Sequence, residues 1–347
     1  MRFEPGSVAR AVAFAACPAI ILLLKRRWTF QDAESATAAT ALQQLAKELL
    51  ESLRSGRPKS IEGVSPDLHE LPPFVPKAFW TKIGDVLQPH ERPEVQRIPG
   101  ERFITLRLDG SCFSKLTRRL SALGVLESGY SEDFAGIMRD CCTSLMSKTN
   151  AKCGYTQSDE MTVVIGACSV VRGEQQCHMN GGRVLKLCTH AASHVTALFN
   201  FKLQGLFSAK GICMEESLLA SFDCRLGHYA TLEEAATLVL WRAADCGVNG
   251  VSDAVYKSKG RLAGAKQIMG KSTDEKLQWL AANGLLPLKA HQAHGSFFVK
   301  TKRPSDGFNP KTGLSVHCVR SQIEQVPGNV LRRAAEGALF PEVAEES

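Results

Sequence analysis

FITLRLDG, residues 103–110, is the stretch from which the fold can be read. Ile104, Leu106 and Leu108 alternate with Phe103, Thr105 and Arg107, the period of two that puts one set of side chains on each face of a strand. Residues 103–108 therefore read as a strand, and Asp109-Gly110 follows it directly. A carboxylate at a strand end is held rigidly, and a glycine beside it lets another group approach the backbone. Downstream, residues 131–148 read as a helix. Residues 153–165 (CGYTQSDEMTVVI) read as two short strands around a polar turn at Ser158-Asp159-Glu160. Residues 183–201 form a helix with Val184, Leu187, Ala191, Val195 and Leu198 on one face and Arg183, Lys186, His190 and His194 on the other. A strand over 221–226 and a helix over 231–245, opened by Thr231 with Glu234 as a capping box, complete the series. The order β-α-β-β-α-β is the split ferredoxin-like unit. The class is α+β, an antiparallel sheet with helices on one face.

Proline sets the organisation around that unit. Eight of the 15 prolines lie between Pro58 and Pro99, and none between 100 and 286. Residues 32–95 read as an extension, a helix over 32–54 followed by a loop-rich arm. The functional domain is placed at 96–305, and 306–347 reads as a tail with one short helix near Gln325–Leu339. In residues 1–31, Arg2, Arg10, Lys25, Arg26 and Arg27 face a single acid, Glu4. The uncharged run 11–24 is short of the roughly 20 residues of a membrane span. Lys25-Arg26-Arg27 stands where a secretory cleavage site would need small residues. A mitochondrial targeting segment fits best; a tethering or signal segment and an ordinary N-terminus are the alternatives. No stable membrane partner is expected.

The 347 residues are 44% hydrophobic and 22% charged, which excludes a mostly disordered chain and a polytopic membrane protein. A net charge of +7 permits a nucleic-acid partner without requiring one. The 12 cysteines contain no C-x-x-C pair and read as small buried hydrophobes in a reducing compartment.

Asp109 and Asp159 both stand at strand ends, on strands that can be neighbours in one sheet. Two carboxylates plus a backbone carbonyl make a hard-oxygen site, suited to Mg²⁺ with a nucleoside triphosphate filling the remaining positions. Each motif taken alone has a plainer reading: Asp-Gly is a common turn, and Ser-Asp-Glu in a hairpin is usually solvated. Lys257, Lys259, Arg261, Lys266 and Lys271 form a basic stretch that can track a phosphate backbone.

Six segments taken together resemble a family. RLDGSCFSKLT (107–117), GYTQSDEMTVVI (154–165) and LWRAADCGVNGVSDAV (240–255) are similar to tRNA-His guanylyltransferases, above all to the bacterial-type tRNA-His guanylyltransferase-like proteins. GRVLKLCTHAASHVTALFN (182–200), FDCRLGHYATLEEAA (222–236) and GKSTDE (270–275) extend the likeness in the same order. The resemblance implies a polymerase-palm fold and 3′→5′ nucleotide addition to the 5′ end of a tRNA. It implies that Asp109, the Gly110 carbonyl and Asp159 bind two Mg²⁺ ions, with Glu160 beside them as a third catalytic carboxylate. Ser111, Cys112, Phe113, Ser114 and Ser158 would line an ATP, GTP or other triphosphate, and Arg183 and Lys186 would hold phosphates. Asp245, Asn249, Ser252 and Lys271 match further motif positions, possible tRNA or phosphate contacts, and a homotetramer is implied.

Two departures stand out. The family usually has Arg where Ser111 follows Asp-Gly here. The guanylyltransferases proper carry His-x-Asn-Asn after Asp-Cys, where this chain has Gly247, Asn249 and Gly250. That loss points to the subfamily that repairs shortened tRNA 5′ ends on a template. A palm-type nucleotidyl cyclase and a tRNA-binding protein without catalysis are the rival readings.

Overall fold

The structure, a computed structural model, describes residues 43–45, 47–51, 54, 77–88 and 97–339. The expected targeting segment 1–31 and most of the extension 32–95 lie outside the described residues. The described parts of 43–54 are helical, and α1 spans Lys77–Leu87.

The ferredoxin-like unit follows. It consists of β1 (Phe103–Gly110), α2 (Phe113–Ala122), α3 (Glu132–Thr149), β2 (Cys153–Gln157), β3 (Glu160–Ile165), α4 (Val184–Ala209) and β6 (Phe222–Tyr229). A two-residue-per-strand hairpin, β4 (Val170–Val171) and β5 (Glu174–Gln175), sits between β3 and α4. The order β6-β1-β3-β2 is antiparallel throughout, as the split unit requires. Ser131 caps α3, its side chain accepting from the Phe134 N–H, and Thr231 likewise caps α5 by accepting from Glu234. The sequence reading missed α2, which is short, polar in composition and entered through the left-handed Cys112.

The helices do not keep to one face. Ile104, Leu106, Leu108, Met161 and Val163 pack beneath α3 and α4. On the opposite face, α5 (Leu232–Lys259) lies across β1, β2, β3 and β6, with Leu238, Val239 and Ala243 buried against Tyr155, Val164 and Tyr229. The expectation of a one-sided sheet is corrected here. Thr105 and Arg107 made the second face of β1 look solvated, yet both are buried under α5. α5 itself runs fourteen residues past the expected end at 245, through two glycines. Gly250 is required where it stands: a Cβ there would lie 2.0 Å from the Gln292 carbonyl oxygen of α8 (Ala290–His294).

The sheet also continues past the expected boundary at 305. β7 (Ser296–Asn309) pairs with β2, and β8 (Leu314–Val326) pairs with β7 along its length. The described part of the tail is therefore half strand, and its helix, α9, is confined to Val330–Ala335. Beyond the sheet, α6 (Arg261–Ile268) and α7 (Thr273–Ala282) fold back on α5, closing a small separate core of Val251, Val255, Leu277 and Leu280. No helix among the described residues is long and apolar enough to cross a membrane.

Candidate active site

Antiparallel pairing brings the two sequence-read carboxylates together. Asp109, near the end of β1, is the Cα partner of Glu160, the first residue of β3, and Asp159 immediately precedes it in the turn. The Gly110 N–H donates to the Asp159 carbonyl at 3.1 Å, so the two strand ends are tied by backbone. Ser158 takes the left-handed conformation that the tight turn demands, and its hydroxyl donates to Asp159 Oδ1 at 2.9 Å.

Gly110 is required from within as well as from outside. A Cβ at this position would fall 2.3 Å from the Phe113 ring. That ring cannot yield, because it packs edge-on against Phe134 and Phe199 and beside Phe222, with centroids 5.0–6.0 Å apart. Phe113 is thus a buried anchor, and its side chain does not line a nucleotide; the expectation is corrected for the side chain. Its backbone N–H and that of Ser114 open α2, with Ser111, Cys112 and Ser114 exposed around them. A helix start beside two carboxylates is a ready phosphate contact.

The three acidic residues differ in their partners. Glu160 is buried and bonded by Arg242 Nε at 2.5 Å and Arg107 Nη1 at 3.5 Å. Burial pushes its carboxyl up against the pull of both arginines. Burial alone would lower Arg242, but the charge of Glu160 outweighs it and the guanidinium is raised. Glu160 is therefore a neutralised tie between β3 and α5, paired with two arginines where a third catalytic carboxylate was expected. Asp109 and Asp159 have no ion-pair partner among the described residues. Burial, then the nearby charge of Asp109, lifts Asp159 above its ordinary value, against the Ser158 hydrogen bond. Two hard-oxygen groups lacking a cation fit a divalent ion. Among the described residues no group of three or more His, Cys, Asp or Glu side chains could hold a metal, so any ion on these two carboxylates would draw its other ligands from phosphate, water or backbone oxygens.

Sequence reading missed Arg107, Arg242 and Asp223. Asp223 on β6 is the other Cα partner of Asp109, and it faces Arg225 at 3.7 Å. The signal for Arg107 was its parity with Asp109 on one strand; Arg242 gave none, being the contact of a distant helix. Arg242 also bonds Asp245 at 3.1 Å, and Asp245 accepts from Asn249 Nδ2 at 2.9 Å. The Trp241 indole has Arg242 at 4.8 Å and Arg107 at 6.0 Å, and it packs on Gly84 of α1, where a Cβ would lie 3.1 Å away. Ser252 accepts from Lys276 at 3.1 Å, and Lys271 stands in the turn before α7.

Arg183 and Lys186 do not join this group within one chain. Ile98 N–H donates to the Gly182 carbonyl at 2.8 Å, which places the start of α4 by the start of β1. Asp109 stands six residues along that strand, about 20 Å away at the usual strand rise. Helical spacing put the two basic residues on one face but could not say which end of the sheet they occupy.

Residues 86–230 match the family model described as Thg1, tRNAHis guanylyltransferase. A curated relative, the uncharacterized protein R259 of Acanthamoeba polyphaga mimivirus, is 27% identical over 182 residues, or 49% of this chain. The match spans 60% of that relative's length. Among solved structures, a bacterial tRNA(His) guanylyltransferase-like protein in complex with ATP is 22% identical, with a TM-score of 0.49, over 62% of this chain and 88% of that one. The tRNA(His) guanylyltransferase of Saccharomyces cerevisiae is 18% identical, with a TM-score of 0.48, over 58% and 86%. The segment that carries both carboxylates and all four strands of the split unit, residues 86–230, is the part of this chain that matches the tRNAHis guanylyltransferase family model.

Proposed function

We propose that this chain is a nucleotidyltransferase that adds nucleotides to the 5′ end of a tRNA in the 3′→5′ direction, repairing shortened ends against the opposite strand. The observation that carries the reading is the pair Asp109 and Asp159, brought together by β1 and the β2–β3 turn and without a cationic partner among the described residues, in a family-matched segment.

Asp109, Asp159 and the Gly110 carbonyl would hold two Mg²⁺ ions. What Mg²⁺ supplies when bound is charge neutralisation at the triphosphate and a lowered pKa at the attacking 3′-hydroxyl. The chain's own residues do the rest. The α2 start, Phe113 N–H to Ser114, faces the phosphates, and Ser158 orients Asp159. Glu160, gripped by Arg107 and Arg242, keeps β3 in register with α5. The incoming 3′-hydroxyl attacks the α-phosphorus of an activated tRNA end. A 5′-monophosphate has no adequate leaving group, so adenylylation by ATP first installs AMP as one; a 5′-triphosphate needs no such step. Asp245, Asn249, Ser252 and Lys271, on α5 and the turn before α7, lie along a polar run that leads away from the carboxylates toward the basic stretch and would contact the RNA. A homotetramer and mitochondrial import belong to the same proposal; the first is read by light scattering, the second by localising a fusion of residues 1–31.

The test uses a 5′-monophosphorylated tRNA lacking its first nucleotide, with ATP, Mg²⁺ and the four nucleotides. Growth by the complement of the unpaired base, absent in an Asp109→Ala, Asp159→Ala variant, supports the reading. Mg²⁺-dependent triphosphate binding without extension sinks it in favour of cyclase chemistry.

A further inference from the structure

A second chemical site lies on the hairpin between β3 and α4, at the end of the sheet away from Asp109. Arg172 and Gly173 have φ of 52° and 81°, the left-handed pair of a two-residue hairpin turn. Outward from it, Val171 pairs with Glu174 and Val170 with Gln175. One rung on, Gln176 N–H donates to the Ser169 carbonyl at 3.1 Å. Carried two residues past the last paired rung, the same register would set Cys168 opposite Cys177. Alternation would make it a non-hydrogen-bonded rung. Consistently, Cys168 N–H points outward to the Gly100 carbonyl at 2.7 Å, and its own carbonyl accepts from Gln175 Nε2 at 2.8 Å. At such a rung the Cα atoms stand about 4.5 Å apart, inside the roughly 4.4–6.8 Å that a disulfide spans.

A base stands beside the pair. His178 is buried, and its Nε2 lies 2.9 Å from the Arg102 carbonyl, which can only accept. Nε2 therefore carries the proton, and Nδ1 presents its lone pair to Cys168 Sγ at 3.5 Å. Burial holds the imidazole below its ordinary pKa, and burial, then the neighbouring Cys177, holds the Cys168 thiol above its own. Cys177 is exposed and Cys168 half-buried, so both can be reached.

We infer that Cys168 and Cys177 form a dithiol site for thiol–disulfide exchange, with Cys168 as the attacking thiol, His178 as its base and a low-molecular-weight disulfide of the glutathione class as co-reactant. Cys168 passes its proton to His178 Nδ1 and attacks one sulfur of the reagent. A mixed disulfide forms, and the departing thiolate takes that proton. Cys177, losing its own proton, attacks the Cys168 sulfur; the mixed bond breaks and a second thiol leaves. Two protein thiols are oxidised to one disulfide, and the reagent is reduced to two thiols. The product closes the base of the hairpin, where the Cys168 N–H already bonds the Gly100 carbonyl.

The experiment incubates the full chain with oxidised glutathione, blocks free thiols, digests without reductant and maps the linked peptides by mass spectrometry. The expected result is a Cys168–Cys177 peptide that disappears on adding reduced glutathione. In Cys177→Ser the same treatment should leave glutathione trapped on Cys168, and in Cys168→Ser neither product should form. His178→Gln should slow alkylation of Cys168 while the exposed Cys112 and Cys213 react at the unchanged rate. Glutathione spread over Cys112 and Cys213 with Cys168 still free would overturn the assignment. So would a trapped adduct on Cys177 in place of Cys168.

Discussion

Asp109 and Glu160 stand directly opposite each other across β1 and β3, yet among the described residues two arginines serve Glu160 and none serves Asp109. The edge therefore keeps its acidic character where Asp109 and Asp159 meet, because Arg107 and Arg242 are committed to Glu160 and Arg225 to Asp223.

That charge has a cost in the apo protein. Asp159 has its carboxyl raised in the folded state, by burial first and by Asp109 next. A raised acid contributes stability below its unfolded pKa and loses it as pH rises through the folded one. Asp159→Asn should therefore raise Tm at pH 7 to 8 relative to wild type, and the gain should vanish below the ordinary value of 3.8. Thermal melts across pH 3 to 8 check this; equal Tm at all pH would remove the electrostatic cost.

The same variant should lose the response to ions. Wild-type Tm should rise with Mg²⁺ and a triphosphate together, as binding to the native state requires. Asp109→Asn and Asp159→Asn should each flatten that response and abolish nucleotide addition. A full Mg²⁺-dependent shift in both would place the ion elsewhere.

Arg242→Ala leaves Glu160 buried with only the longer Arg107 contact, and breaking such a pair costs about 3–5 kcal/mol. Denaturant unfolding should show that loss. Arg242→Lys, which keeps the charge but not the forked geometry, should recover part of the stability and less of the activity. Full activity in Arg242→Lys would reduce the residue to a fold contact.

Gly110→Ala puts a methyl into the Phe113 ring, an overpacking worth about 1–3 kcal/mol. The double variant Gly110→Ala, Phe113→Leu should regain stability relative to Gly110→Ala alone, since the collision is with that ring. Additive losses in the double-mutant cycle would show that the glycine is needed for something other than Phe113.

Arg183→Ala with Lys186→Ala should leave the nucleotide-induced Tm shift of the monomeric protein unchanged, because both side chains sit at the far end of β1. A lost shift only in an oligomer would bring the α4 start of a second copy to the carboxylates.

Much of this was legible in the sequence because it is local. The alternation in 103–108, the helix over 131–148, the Thr231 cap and the polar turn at 158–160 each follow from neighbouring residues, and together they order the four strands. What escaped were contacts between distant segments. Arg107 looked like the solvated member of an alternating strand, and only the packing of α5 makes it a buried partner of Glu160. Arg183 and Lys186 read as companions of Asp109 because the period of a helix is visible and its direction against the sheet is not. The β7–β8 ribbon, exposed and polar along much of its length, shows little of the apolar alternation that marks a strand.

Gly84 has a consequence for how the protein can be divided. The family match begins at residue 86, but Ile83, Gly84 and Leu87 of α1 are already buried in the core under α5, and Gly84 meets Trp241 directly. A boundary drawn by likeness would cut this helix in two and leave the indole between Arg107 and Arg242 without its floor. The heritable module and the folding unit have different edges here, and grafting the domain between relatives would succeed only if α1 travels with it.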